Sequence, residues 1–281
     1  VPEPPNIFMR LSNGAENIAL VRQALSGVAD QLELGAGVIN DIRTAATEAC
    51  NNVAVHAYSG GTGPLEVEIG CRARALEVVV RDHGTGIRPR IRGQSESALG
   101  IGLAIIQALA RRVEFNDPPG GGTEVRMEFT ARPRKGLDTG KVLRSAPREP
   151  PADGLSSTAV FAIAPSRLAQ SVLPRVLTVL AAHAHFTTDR ISDLVMIADA
   201  LAAEAQGAGG NDELRVTARV ASRRIELEVG PLPGGVARAL VSAARGEDPA
   251  NPIGRLTDEQ RIDGAPNARE ATLVLALAER A

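Results

Sequence analysis

Aromatic residues are scarce in this 281-residue chain: five Phe, one Tyr (Tyr58) and no Trp. Its core must therefore be built from Ala, Val, Leu and Ile. It also lacks the rings on which single-stranded nucleic acid stacks. Lysine is nearly missing, since of 31 basic residues only Lys135 and Lys141 are Lys. Neither lies in the Gly-rich setting of a Walker-type phosphate loop. The two cysteines, Cys50 and Cys71, have no CxxC spacing, which excludes a Cys-based zinc cluster and a disulfide framework. They are expected as small buried residues of a reducing compartment. No apolar run approaches the ~20 residues that span a bilayer, and Val1-Pro2-Glu3-Pro4-Pro5 does not read as a signal peptide. A cytoplasmic protein without membrane contact is expected. A net charge of −2 excludes both a strongly basic nucleic-acid binder and a disordered polyanion. What is present is ordinary for a globular protein: 44% hydrophobic and 23% charged residues. A chain of this length usually divides into two domains.

One composition break stands out. Residues 131–154, ARPRKGLDTGKVLRSAPREPPADG, are rich in Pro, Gly and Arg and hold both lysines. Such a stretch cannot build a core and reads as a linker between residues 1–130 and 155–281. In the first part, residues 6–12 read as a strand, and Ser12-Asn13 as the cap of a helix over 14–31. There Ile18, Val21, Leu25, Val28 and Leu32 recur at helical spacing. A second helix is predicted over 36–57 and a third over 102–111. Strands are predicted at 65–71, 76–81, 113–116 and 124–129. The last part repeats this plan, with a strand at 161–164 and helices over 165–184 and 189–206. Strands follow at 214–220, 225–229 and 271–276. Ile39-Asn40-Asp41-Ile42 lies over Ile191-Ser192-Asp193-Leu194 at an offset of 152, and Glu77–Ile87 over Glu226–Val236 at 149. Two similar offsets with matching element order point to an internal duplication.

Four segments of the first part carry chemistry. In Thr47–Tyr58, TEACNNVAVHAY, a continuous helix puts Glu48, Asn52 and His56 on one polar stripe. Alone that stripe reads as a solvated face. A carboxylate and an amide one turn apart can also hold a hydrated Mg²⁺ and orient a proton acceptor. Asp82-His83-Gly84-Thr85-Gly86 places an acceptor at a strand end beside bare backbone. That suits an adenine edge, or simply a turn. Leu99-Gly100-Ile101-Gly102-Leu103 opens a helix whose N–H groups suit a phosphate. It is not the Rossmann fingerprint, because Ile105 stands where the third Gly belongs. Gly120-Gly121-Gly122-Thr123 is a tight turn into the last strand and alone reads as a hairpin.

In order and spacing, these four segments resemble the boxes of the GHKL-type ATPases with the Bergerat nucleotide-binding fold. The resemblance covers about residues 6–130. The phrase from Thr47 to Tyr58, ending His-Ala-Tyr, is similar to that of the anti-sigma-factor serine kinases within this superfamily. The implied fold is α+β, a two-layer sandwich with a mixed sheet covered on one face by helices, present twice. The implied ligands are ATP and Mg²⁺. By the same resemblance, Glu48 is the general base for a substrate serine and Asn52 the metal ligand. Asp82 is the adenine acceptor, supported by Thr123. Gly84 and Gly86 shape the base pocket, while Gly100, Gly102 and Leu103 face the phosphates. Arg22 lies near the γ-phosphate and the protein partner. The implied partner is a STAS-type anti-anti-sigma protein, a sigma factor, or both. The alternatives are a non-catalytic nucleotide-binding module and the catalytic part of a histidine kinase.

Two departures qualify the resemblance. The lid between the glycine boxes is short and Arg-rich, with Arg88, Arg90 and Arg92. In the last part, the 152 offset puts Ala200, Glu204 and Pro174 where Glu48, Asn52 and Arg22 stand, and the 149 offset puts Pro231 where Asp82 stands. Residues 155–281 are therefore expected to be a degenerate copy without nucleotide-binding residues. Family members often form homodimers, and this copy is expected either to replace a second subunit as an intramolecular pseudo-dimer or to accompany a homodimer.

Overall fold

The computed structural model describes residues 4–85, 99–118, 120–131, 142–143, 157–207, 213–242, 252–263 and 270–279. Its first strand, β1 (Ile7–Ser12), leads through a 3-10 turn into α1 (Ile18–Leu32) and then α2 (Ala36–Asn52). Strands β2 (Pro64–Cys71) and β3 (Ala75–Asp82) follow, then α3 (Leu99–Leu109), β4 (Arg112–Asn116) and β5 (Glu124–Thr130). The second half runs β6 (Thr158–Ile163), α4 (Ala169–His183), α5 (Thr188–Gly207), β7 (Leu214–Ala221) and β8 (Arg224–Pro233). Helices α6 (Gly234–Ser242) and α7 (Pro252–Leu256) precede β9 (Glu259–Asp263) and β10 (Glu270–Ala278).

All ten strands form one sheet in the order β4-β5-β3-β2-β1-β6-β7-β8-β10-β9. Read outward from the β1–β6 seam, the two halves have the same strand order. Their registers also agree. Val67 lies opposite Val80 and Val216 opposite Val229, each advanced by 149 residues. Every pairing is antiparallel, so the expected mixed sheet is corrected to an antiparallel one. The hairpins reverse direction, and the helical excursions return each strand antiparallel to its neighbour.

One face of the sheet and the apolar helix stripes form a single core across both halves. It includes Ile7, Met9 and Leu11 of β1, Leu25 and Val28 of α1, and Phe161 and Leu177 beyond the seam. The expected stripe of α1 is buried throughout. Its expected cap is not seen. Asn17 precedes the helix and makes no side-chain cap bond, whereas Asn13 bonds Gly61 and Gly63 across the neighbouring loop. Cys50 and Cys71 are buried, and burial pushes both thiols up to about 12.

The seam is close-packed. A Cβ on Gly27 of α1 would sit 2.5 Å from the Ser171 carbonyl oxygen of α4, so the helices meet backbone to backbone. Ser171 Oγ donates to Gln31 Oε1 at 3.1 Å, and Arg175 pairs with Asp30. Asn6, fully buried, donates to the Ala164 carbonyl and accepts from the Cys71 N–H. The expected linker is not wholly without a core. Leu143 is buried against Phe8, Ala162 and Ala164 on the face away from the helices, and its N–H donates to Pro5.

On the outer face of the sheet, arginines are paired with carboxylates across the strands. Arg10, Glu66, Arg81 and Glu124 stand directly opposite one another across β1, β2, β3 and β5. Arg10 and Arg81 each reach a carboxylate through two guanidinium nitrogens, a fork that an ammonium cannot make. Burial pushes Glu66 up, but its bonds and charge pairing with Arg10 and His83 outweigh this and hold it below the usual range.

In the second half, Arg190 is 2% exposed and ties three elements together. It donates to Ala278 at 2.8 Å, to Leu256 at 2.7 Å and to Asp193 at 3.0 Å, and pairs with Asp258. Arg190→Ala is expected to cost about 3 kcal/mol, the low end for breaking a buried pair, because both aspartates keep some water. Urea denaturation of the full chain measures it; a loss below about 1 kcal/mol would show that the cluster contributes little net stability.

Candidate functional site

The site is assembled where α2, α3 and the ends of β3 and β5 converge. Glu48 and Asn52 lie one turn apart on α2 and are half-buried. Helix α3 begins beside them. A Cβ on Gly102 would sit 3.1 Å from Glu48 Oε2 and 3.8 Å from Asn52 Oδ1. A side chain there would fill the space between the helix start and these two polar groups. Gly100 and Gly102 both fall in the first turn of α3, where backbone N–H groups lack helical partners. Leu103 follows, half-buried.

Asn52 Nδ2 is buried and has no hydrogen-bond partner among the described residues. Such a group normally finds one, so the position fits a ligand that completes it. Rotation about the terminal torsion offers either the amide N–H or its oxygen. Among the described residues no group of three His, Cys, Asp or Glu converges as a metal cluster. A cation here would rest on Asn52, phosphate oxygens and water, the manner in which Mg²⁺ is often held.

The helix does not continue to residue 57 as expected. After Asn52 it widens into a π-helical turn, Val53–Ala57. This turn rotates the following side chains off the α2 stripe. His56 is exposed, which corrects its placement in line with Glu48 and Asn52. The wide turn releases the Ala57 carbonyl, which accepts from the Thr85 N–H at 3.0 Å.

Asp82 ends β3 and is 4% exposed. Its Oδ1 accepts from the Gly84 N–H at 2.8 Å, and its N–H donates to the Thr123 carbonyl at 2.9 Å. The Thr123 side chain and N–H also bond its carboxylate. Burial raises the Asp82 pKa, against the lowering effect of those bonds. Gly122 has φ +91°, and a Cβ there would sit 2.0 Å from the Asp82 carbonyl oxygen. Only glycine allows Thr123 to approach so closely.

The structure thus brings Glu48, Asn52 and Gly102 together, and Asp82, Gly84 and Thr123 together. Arg22 is exposed on α1 and makes no side-chain bond among the described residues. Gly86 and the lid arginines Arg88, Arg90 and Arg92 lie outside the described residues. Sequence reasoning missed the gripping role of Ala57 and the π-helical turn. The unassigned His-Ala-Tyr ending was the one signal that pointed there. In the second half, the common register puts Pro231 at the Asp82 position, and Glu204 is exposed.

Residues 11–129, which hold Glu48, Asn52, Asp82, Gly102 and Thr123, match the model of the histidine kinase-like ATPase domain. Among curated proteins, the chain is similar to the serine-protein kinase RsbW of Bacillus thuringiensis (strain Al Hakam). The identity is 33% over 78 residues, covering 28% of this chain and 49% of the relative. The serine-protein kinases RsbW of Bacillus cereus (strain AH820) and Bacillus anthracis (strain A0248) match with the same identity and coverage. The chain spans about half the length of these curated relatives. No helix among the described residues is long and apolar enough to cross a membrane.

Proposed function

We propose that residues 1–130 bind ATP with Mg²⁺ and transfer its γ-phosphoryl group to a serine of a STAS-type anti-anti-sigma protein, sequester a sigma factor, or do both. The observation that carries this reading is the bare Gly102 beside Glu48 and the unsatisfied Asn52 amide. Asp82 accepts the adenine amine, held by Gly84 and Thr123, while Gly86 borders the base. Gly100, Gly102 and Leu103 line the phosphates, and Asn52 holds Mg²⁺, which neutralises phosphate charge when bound. Glu48 takes the proton from the serine hydroxyl as its oxygen bonds the γ-phosphorus and the bond to the bridging oxygen breaks. Arg22, exposed on α1, meets the γ-phosphate or the protein partner.

Residues 155–281 are, in this proposal, a second copy that has lost the site and serves as the built-in counterpart of residues 1–130. The matching registers and the β1–β6 seam support it. The pseudo-dimer then stands in for a homodimer: β1 is paired by β2 and β6 and offers no free edge to a second chain.

Calorimetric titration of the full chain tests both parts. One Mg²⁺-dependent ATP site per chain is expected. No binding by the folded chain would overturn the nucleotide reading, and two sites would overturn the degeneracy of the second half. Acid-stable phosphoserine on an added STAS protein is the expected product; acid-labile phosphate would point to a histidine acceptor instead.

A further inference from the structure

Tyr58 has no role in the chemistry described above, yet it is built into the site. Its hydroxyl donates to the Pro64 carbonyl at 2.5 Å and accepts from the His83 N–H at 2.8 Å. The ring lies over Gly63, where a Cβ would come within 2.1 Å of Cε1. Burial pushes the Tyr58 phenol up to about 12, so it stays protonated and bonded across the neutral range. One residue earlier, the Ala57 carbonyl accepts from the Thr85 N–H. The two bonds grip the turn on either side of Gly84, whose own N–H donates to Asp82.

We propose that Tyr58 is a positioning residue for base recognition: its hydroxyl, between Pro64 and the His83 N–H, fixes the turn that aims the Asp82 carboxylate. The inference rests on the reading of Asp82 as the acceptor for the adenine amine. It assigns base discrimination partly to a side chain that does not touch the base. Removing the hydroxyl leaves the His83 N–H without that acceptor and frees one side of the turn. The phosphate end of the site, on α2 and α3, is not gripped by Tyr58.

The test is Tyr58→Phe in the full chain, titrated calorimetrically with ATP and with purine riboside triphosphate, which lacks the exocyclic amine. The wild type is expected to favour ATP. The variant is expected to lose about tenfold in ATP affinity, the order of one hydrogen bond, while its affinity for the amine-free nucleotide moves less than twofold. A parallel loss for both nucleotides would show a merely structural role, and no loss for either would show none; both overturn the proposal. A wild type that does not distinguish the nucleotides would instead overturn the Asp82 reading, and this inference with it. Should Tyr58→Phe not fold, Gly63→Ala carries the same test. It displaces the ring, keeps the hydroxyl and leaves Asp82 unaltered, and the same selective loss is expected.

Discussion

Glu48→Gln is expected to slow phosphoryl transfer about 10²–10³-fold while leaving ATP·Mg²⁺ affinity within about twofold. A positioned general base contributes about 10²–10⁴-fold. Phosphoryl transfer passes through a loose transition state and depends mostly on positioning and charge neutralisation, so the lower part of that range, about 10²–10³-fold, is the expected size. Glutamine keeps the shape. Glu48 is half-buried and makes no hydrogen bond or ion pair among the described residues. Neutralising it therefore strands no partner charge among the described residues. Gly102 lies beside it whichever residue is present, so the packing of α3 on α2 is retained. Single-turnover transfer to a STAS protein, measured beside calorimetric ATP affinity, separates the two effects. Undiminished transfer would remove Glu48 from the chemistry. Affinity lost in parallel with transfer would make it a ligand-binding group instead.

Gly84→Ala is expected to lower ATP affinity at least about 100-fold and stability by about 1–3 kcal/mol, the usual cost of overpacking. A Cβ there would meet the Ala57 carbonyl oxygen at 2.0 Å and its carbon at 2.6 Å. Those atoms are backbone at the end of a helical turn, so the loop must move rather than the helix. Moving the loop breaks the Thr85–Ala57 bond and carries the Gly84 N–H away from Asp82. The result is a shifted acceptor, in a site where recognition depends on hydrogen-bond geometry. Gly37→Ala is the matched control. It lies in the first turn of α2, where a Cβ meets nothing within 4 Å, and alanine is the better helix former by about 1 kcal/mol. Equal ATP affinity in the two variants would show that the close contact at Ala57 is not what shapes the site.

Most secondary elements were legible because their apolar residues repeat with the period of the element. The stripe Ile18, Val21, Leu25, Val28 and Leu32 marks α1; β2 differs from its predicted span by one residue at its start, and β3 by one residue at each end. Three elements were not legible. Helices α6 and α7 and strand β9 have no counterpart in the sequence reading. They are short, and their existence depends on packing against β8, β10 and α5. The π-helical turn after Asn52 was invisible for a related reason: an i→i+5 turn has no residue signature, and its carbonyl is satisfied by a loop 28 residues away. Leu143, one apolar residue in a Pro- and Arg-rich stretch, had no periodicity to mark it, yet the seam buries it.

By itself the sequence determined most of the element types, the candidate site residues and the offset of the two halves, because local periods and motif spacing are properties of the chain. Tertiary structure alone decided that the halves share one antiparallel sheet through β1 and β6 and that Gly27 lets α1 meet α4. It also decided that Tyr58 and Ala57 grip the turn beside Asp82. Each of these depends on surfaces or backbone groups distant in the chain, whose unmet hydrogen bonds and apolar area are satisfied only when the fold brings them together.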